Sequence, residues 1–116
     1  GLAVESRHMA RKRRQLVIIG KEGPGGGAGP LGALREVRHI LAGYNTSGDG
    51  SGPGDSGIER LFGPGMMVEL PGSNDPVTQA IANVIDEELA FPVLMKLTKT
   101  LGWRLMDIES GRVFGG

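Results

Sequence analysis

The fold is decided by residues 66–107, which read MMVELPGSNDPVTQAIANVIDEELAFPVLMKLTKTLGWRLMD. The clearest helical pattern in this stretch follows Phe91. Leu94, Leu97 and Leu101 recur at helical spacing, Pro92 suits a first helical turn, and Gly102 is a natural stop. The pattern predicts a helix over residues 92–101.

Short strand candidates lie on both sides of this helix. Residues 66–70 form an apolar run that ends at a cluster of turn formers, residues 71–75. After the helix, residues 103–107 alternate in the way typical of a strand. Ser110-Gly111 then turns the chain toward Val113-Phe114, for which we predict a short return strand.

Residues 77–85 fit two different elements. Val77, Ala80 and Val84 match a helical stripe, and the preceding Asp-Pro pair would cap a helix. A strand would instead form a hairpin with residues 66–70 and give residues 103–107 a sheet to join, since an isolated pair of strands is marginal. We predict the strand.

The fold class that follows is α+β. We expect a small antiparallel sheet, in the order strand, strand, helix, strand, with one covering helix, an additional N-terminal helix and long Gly-rich flexible segments. The core candidates are Met67, Val68, Leu70, Ile81, Val84, Leu89, Phe91, Leu94, Leu97, Leu101, Trp103, Leu105 and Phe114.

The first half of the chain is dominated by glycine. Fifteen of the 21 glycines fall between Gly20 and Gly65, and glycine loses the most backbone entropy on folding. Leu34, Val37 and Leu41 recur at helical spacing over residues 31–42, a helix that is marginal in water by itself. We therefore expect flexible segments on both sides of this helix.

These patterns divide the chain into five parts. His8-Met9 is typical of a cloning junction, so we interpret residues 1–8 as an expression-tag remnant. The other four parts are a flexible basic and Gly-rich arm (9–30), an isolated helix (31–43), a Gly/Ser/Asp linker (44–57) and a compact α+β domain (58–114).

Composition excludes several classes of site and partner. Thirteen basic and 13 acidic residues give a net charge of zero, which indicates no polyanionic partner for the chain as a whole. The chain contains no cysteine, which excludes disulfides and thiolate metal sites. No apolar run approaches the length of a membrane span, so we expect a cytoplasmic protein without membrane contact.

No motif predicts a cofactor, a metal or a catalytic group. Lys21 precedes the glycines that follow it, whereas a phosphate-binding loop needs lysine and a hydroxyl at the start of the helix. Residues 45–56 offer no carboxylate at the last position of a calcium loop. Asp86, Glu87 and Glu88 form a carboxylate cluster whose expected role is electrostatic, near the N-terminus of the following helix.

One basic cluster predicts an alternative partner. Arg11, Lys12, Arg13 and Arg14 are adjacent, and four cations on a flexible arm can contact phosphates and release counterions. Nucleic-acid association through this arm is the alternative functional hypothesis.

The second half of the chain also resembles a known family. Residues 86–94, followed by Trp103-Arg104-Leu105-Met106-Asp107 and Ser110-Gly111-Arg112, are similar to a small family of uncharacterised proteins from planctomycete-type bacteria. The resemblance implies a strand before Asp86 and no assigned activity.

The first functional hypothesis is therefore a non-enzymatic protein-interaction module of a bacterial protein, with an unknown protein partner and no cofactor. Two further hypotheses are a small enzyme, which would need Asp86 or Glu88 in a deep pocket beside Arg104 or Arg112, and a ubiquitin-like carrier ending in Gly115-Gly116. For the carrier, too few residues follow the helix to complete such a fold.

Overall fold

The computed structural model describes residues 14–50, 57–73 and 75–115. Within these residues the chain forms two helices and one sheet. The helices are α1 (Leu34–Gly43) and α2 (Glu87–Leu101). The strands are β1 (Arg14–Ile19), β2 (Ile58–Gly63), β3 (Met66–Pro71), β4 (Gln79–Val84), β5 (Arg104–Asp107) and β6 (Val113–Phe114).

The sheet has the strand order β2-β3-β4-β1-β5-β6, and every neighbouring pair is antiparallel. The predicted α+β class and the antiparallel sheet are thus confirmed. The prediction of a small sheet with one covering helix is wrong, because β1 and β2 also join the sheet and α1 also packs against it.

Strand β1 corrects the expectation that residues 9–30 form a flexible arm. Arg14–Ile19 lies in the middle of the sheet, paired with β4 on one side and β5 on the other. Leu16 and Ile18 are buried in the core. The glycines that follow do not loosen this segment, because its backbone groups have strand partners at both edges. Residues 9–13 lie outside the described part of the chain, as do residues 1–8.

The Gly-rich stretch after β1 is an ordered turn, which is a second correction to the arm. Glu22 and Ala28 form an antiparallel bridge, and the Gly29 amide donates to the Lys21 carbonyl at 2.9 Å. A Cβ atom at Gly20 would collide with the Gly29 carbonyl oxygen. Glycine is therefore required here because the two sides of the turn approach each other closely.

Helix α1 is not isolated, contrary to the expectation for residues 31–43. Val37 and Leu41 are buried in the core, and Arg38 Nε donates to Glu59 Oε1 of β2 at 2.7 Å. The helix begins at Leu34 because Ala33 has extended backbone. The amide at the start of the helix finds a hydrogen-bond acceptor in a distant loop, since the Leu34 amide donates to Asp75 Oδ1 at 3.1 Å.

The expected linker, residues 44–57, is partly built into the fold. Thr46 is completely buried, and Ser47 pairs with Phe62 along the outer edge of β2. This pairing satisfies backbone groups that would otherwise be open at a sheet edge. Residues 51–56 of the expected linker lie outside the described residues.

The strand prediction for residues 77–85 is confirmed by β4. Ala80, Ala82 and Val84 are buried on one side of the strand, and the residues between them lie on the other. The segment also matches a helical pattern, but it forms a strand because β1 pairs with one of its edges and β3 with the other.

Helix α2 starts at Glu87, five residues earlier than the predicted residue 92. The side chain of Asp86 accepts a hydrogen bond from the Glu88 amide at 3.0 Å and caps the helix, and Glu87 and Glu88 occupy its first turn. The electrostatic role predicted for these carboxylates at the helix N-terminus agrees with this placement. Pro92 falls inside the helix, and Gly102 ends it with φ of 76° as predicted.

The core lies between one face of the sheet and the two helices. Predicted core residues such as Val68, Leu94, Trp103 and Leu105 are buried there. Three predicted core residues are placed elsewhere. Met67 and Ile81 alternate with buried neighbours and lie on the opposite face, half-buried, and Leu89 is 55% exposed in the first turn of α2.

The placement of β1 predicts a large loss of stability when one of its core side chains is shortened. Ile18 is 1% exposed and Ile85 is 58% exposed. We expect Ile18→Ala to lower the free energy of unfolding by about 2–5 kcal/mol, because it removes buried methyl groups and leaves a cavity. Ile85→Ala should change it by less than about 0.5 kcal/mol. Chemical denaturation measures both, and equal small effects would contradict a central β1.

Candidate functional site

The sheet has one face packed against the helices and one face on which the described residues place no other element. We call the second the open face. Its members follow from strand alternation and from the pairing registers. They are Gln15, Val17, Ile19, Ile58, Arg60, Phe62, Met67, Glu69, Pro71, Gln79, Ile81, Asn83, Arg104, Met106 and Val113.

An apolar row crosses the centre of the open face. Ile81 lies opposite Val17, Val17 opposite Met106, and Met106 opposite Val113. Val17 is only 6% exposed, and it is not one of the residues in the core between the sheet and the helices. A continuous strip of methyl and thioether groups therefore runs across four adjacent strands.

The row ends in a polar pair on the other two strands. Ile81 is opposite Glu69 of β3, and Glu69 is opposite Arg60 of β2. The open face carries two cations, Arg60 on β2 and Arg104 on β5. Arg104 is two residues from Met106 and lies in the opposite half of the sheet from Arg60. Its Nε donates to the Gly20 carbonyl at 3.2 Å.

Two amide side chains of the open face, Gln15 and Asn83, hydrogen-bond within the sheet. Gln15 Nε2 donates to Asn83 Oδ1 at 2.8 Å, and Asn83 Nδ2 donates to the Met67 carbonyl at 3.2 Å and to Glu69 Oε1 at 3.3 Å. This network orders the side chains beside the apolar row. These hydrogen bonds run between side chains and backbone of the sheet itself.

The largest exposed apolar side chains of the open face lie at its two lateral edges. Phe62 is 49% and Ile58 is 39% exposed on β2, and Val113 is 45% exposed on β6. Antiparallel sheets with one solvated face usually alternate apolar residues inward with polar residues outward. The open face departs from that pattern along most of its width, which is typical of a surface that another molecule covers.

A groove opens at one end of this face, where β3 and β4 diverge. Their pairing ends at Glu69 and Ile81, whereas β3 stays paired with β2 as far as Pro71 and Ile58. The groove has a volume of about 230 Å³, and its walls include Pro71, Ile58 and Thr78.

Of the four residues predicted to contact nucleic acid, the structure describes only Arg14. Arg11, Lys12 and Arg13 lie outside the described residues. Arg14 is the first residue of β1, and its side chain is on the covered face of the sheet. Its Nη2 lies 3.0 Å from Asp107 Oδ2, its Nη1 lies 3.9 Å from Glu87 Oε1, and its guanidinium carbon lies 5.4 Å from the centre of the Phe91 ring. Two carboxylates thus already balance the charge of Arg14.

Asp107 is the acidic partner in this clamp between β1, β5 and α2. Desolvation raises the pKa of Asp107, but hydrogen bonds from the Ser110 amide, the Arg14 guanidinium and the Glu109 amide together outweigh it. The pKa of Asp107 therefore lies below its ordinary value of 3.8. The clamp is a structural feature, since it joins β1 to the neighbouring strand β5 and to α2.

The other residues that could take part in catalysis or metal binding lie far apart. His39 is exposed on the outer side of α1, and Asp86 caps α2. Among residues 14–50, 57–73 and 75–115, no group of three or more His, Asp or Glu side chains is arranged to hold a metal ion. Within the same residues, no helix has the length and apolar character needed to cross a membrane.

Comparison of this chain with protein-family models, with curated proteins and with solved structures returned no match. The open face is therefore interpreted from its own residues. Sequence reasoning missed it because Met67 and Ile81 were assigned to the core, and their period-two alternation with Val68 and Ala82 is the signal that separates the two faces.

The lowered pKa of Asp107 predicts how stability depends on acid. A carboxyl group whose pKa is lowered in the folded state stabilises the fold at pH values above its ordinary pKa of 3.8. This contribution is lost as the pH falls through the folded-state pKa. We expect Arg14→Ala to raise the pKa of Asp107, as measured by NMR titration of its carboxyl carbon. Arg112→Ala is the control, because Arg112 bonds to the Asp107 amide through its backbone carbonyl. An unchanged pKa in Arg14→Ala would contradict the clamp.

Proposed function

We propose that this chain is a non-enzymatic protein-interaction module that binds its partner through the open face. The observation that carries the proposal is the apolar row of Ile81, Val17, Met106 and Val113, which lies on the face that the two helices leave uncovered. Large apolar surfaces bounded by polar residues are characteristic of protein-binding sites.

The magnitude of the burial supports contact over the whole face. Complete burial of a Val, Ile, Phe or Met side chain contributes about 1.5–3 kcal/mol. Ile58, Phe62 and Val113 are each about half-exposed, so together they would contribute about 3 kcal/mol. Association costs about 4–15 kcal/mol in lost freedom of motion. A stable complex therefore needs further contacts, to which the partly exposed Ile81 and Met106 can contribute and the buried Val17 adds little.

The shape and rigidity of the face suit a protein surface. Its side chains stand on strands that are paired with neighbours, and the Gln15–Asn83–Glu69 network orders the polar groups between them. Little conformational entropy remains to be lost when a partner covers such a surface. A β-sheet or a flat helical surface fits it best, because face-to-face layers interdigitate their side chains about 10 Å apart.

Site-specific photo-crosslinking in the cells that make this chain tests the proposal. A photoreactive phenylalanine analogue is placed at position 62 on the open face or at position 95 on α2. Phe62 and Met95 are matched, since both are apolar and are 49% and 40% exposed. We expect crosslinks to polypeptide from position 62 and few or none from position 95. Equal yields at the two positions, or crosslinks from position 62 to lipid alone, would contradict the proposal.

A further inference from the structure

We draw no further inference here: the strongest candidate, the groove of about 230 Å³ between β3 and β4 on the open face, belongs to the surface already described, and nothing in the structure shows what covers it.

Discussion

The structure depends on the hydrogen bonding of β1 along both of its edges. Arg14–Ile19 pairs with β4 through six residues and with β5 through four. These contacts bring Leu16 opposite Asp107, so a long loop must close before they form. Without β1, no strand pairing would join β2, β3 and β4 to β5 and β6, and the sheet beneath the core would be divided.

The same strand determines which face of the sheet is available for binding. The side chains of Leu16 and Ile18 lie on the face of the sheet that the helices cover. Because side chains alternate along a strand, Val17 lies on the other face, with Ile81 and Met106 beside it. Both helices pack on one face of the sheet. The apolar residues of the open face are thus a consequence of where β1 is inserted, and the binding proposal follows from that insertion.

The elements read correctly from the sequence are those stabilised by neighbouring residues. The strands at 66–70 and 103–107 and the end of α2 at Gly102 follow from local alternation, turn formers and a left-handed stop. Other elements depend on distant partners. The cap of α1 comes from Asp75, 41 positions away from Leu34, and Gly20 is needed because Gly29 packs on it. The open face was missed for a related reason, since assigning Met67 and Ile81 to a face requires knowing where the helices lie.

Native-state amide hydrogen exchange of β1 tests the account most directly. The amides of residues 16–19 lie between two strands, so the account predicts that they exchange only through global unfolding. Their protection should then equal that of the best-protected amides in β4, under conditions where opening limits exchange. Exchange of the β1 amides at rates typical of an unstructured chain, with β4 still protected, would contradict a central β1 and the open face with it.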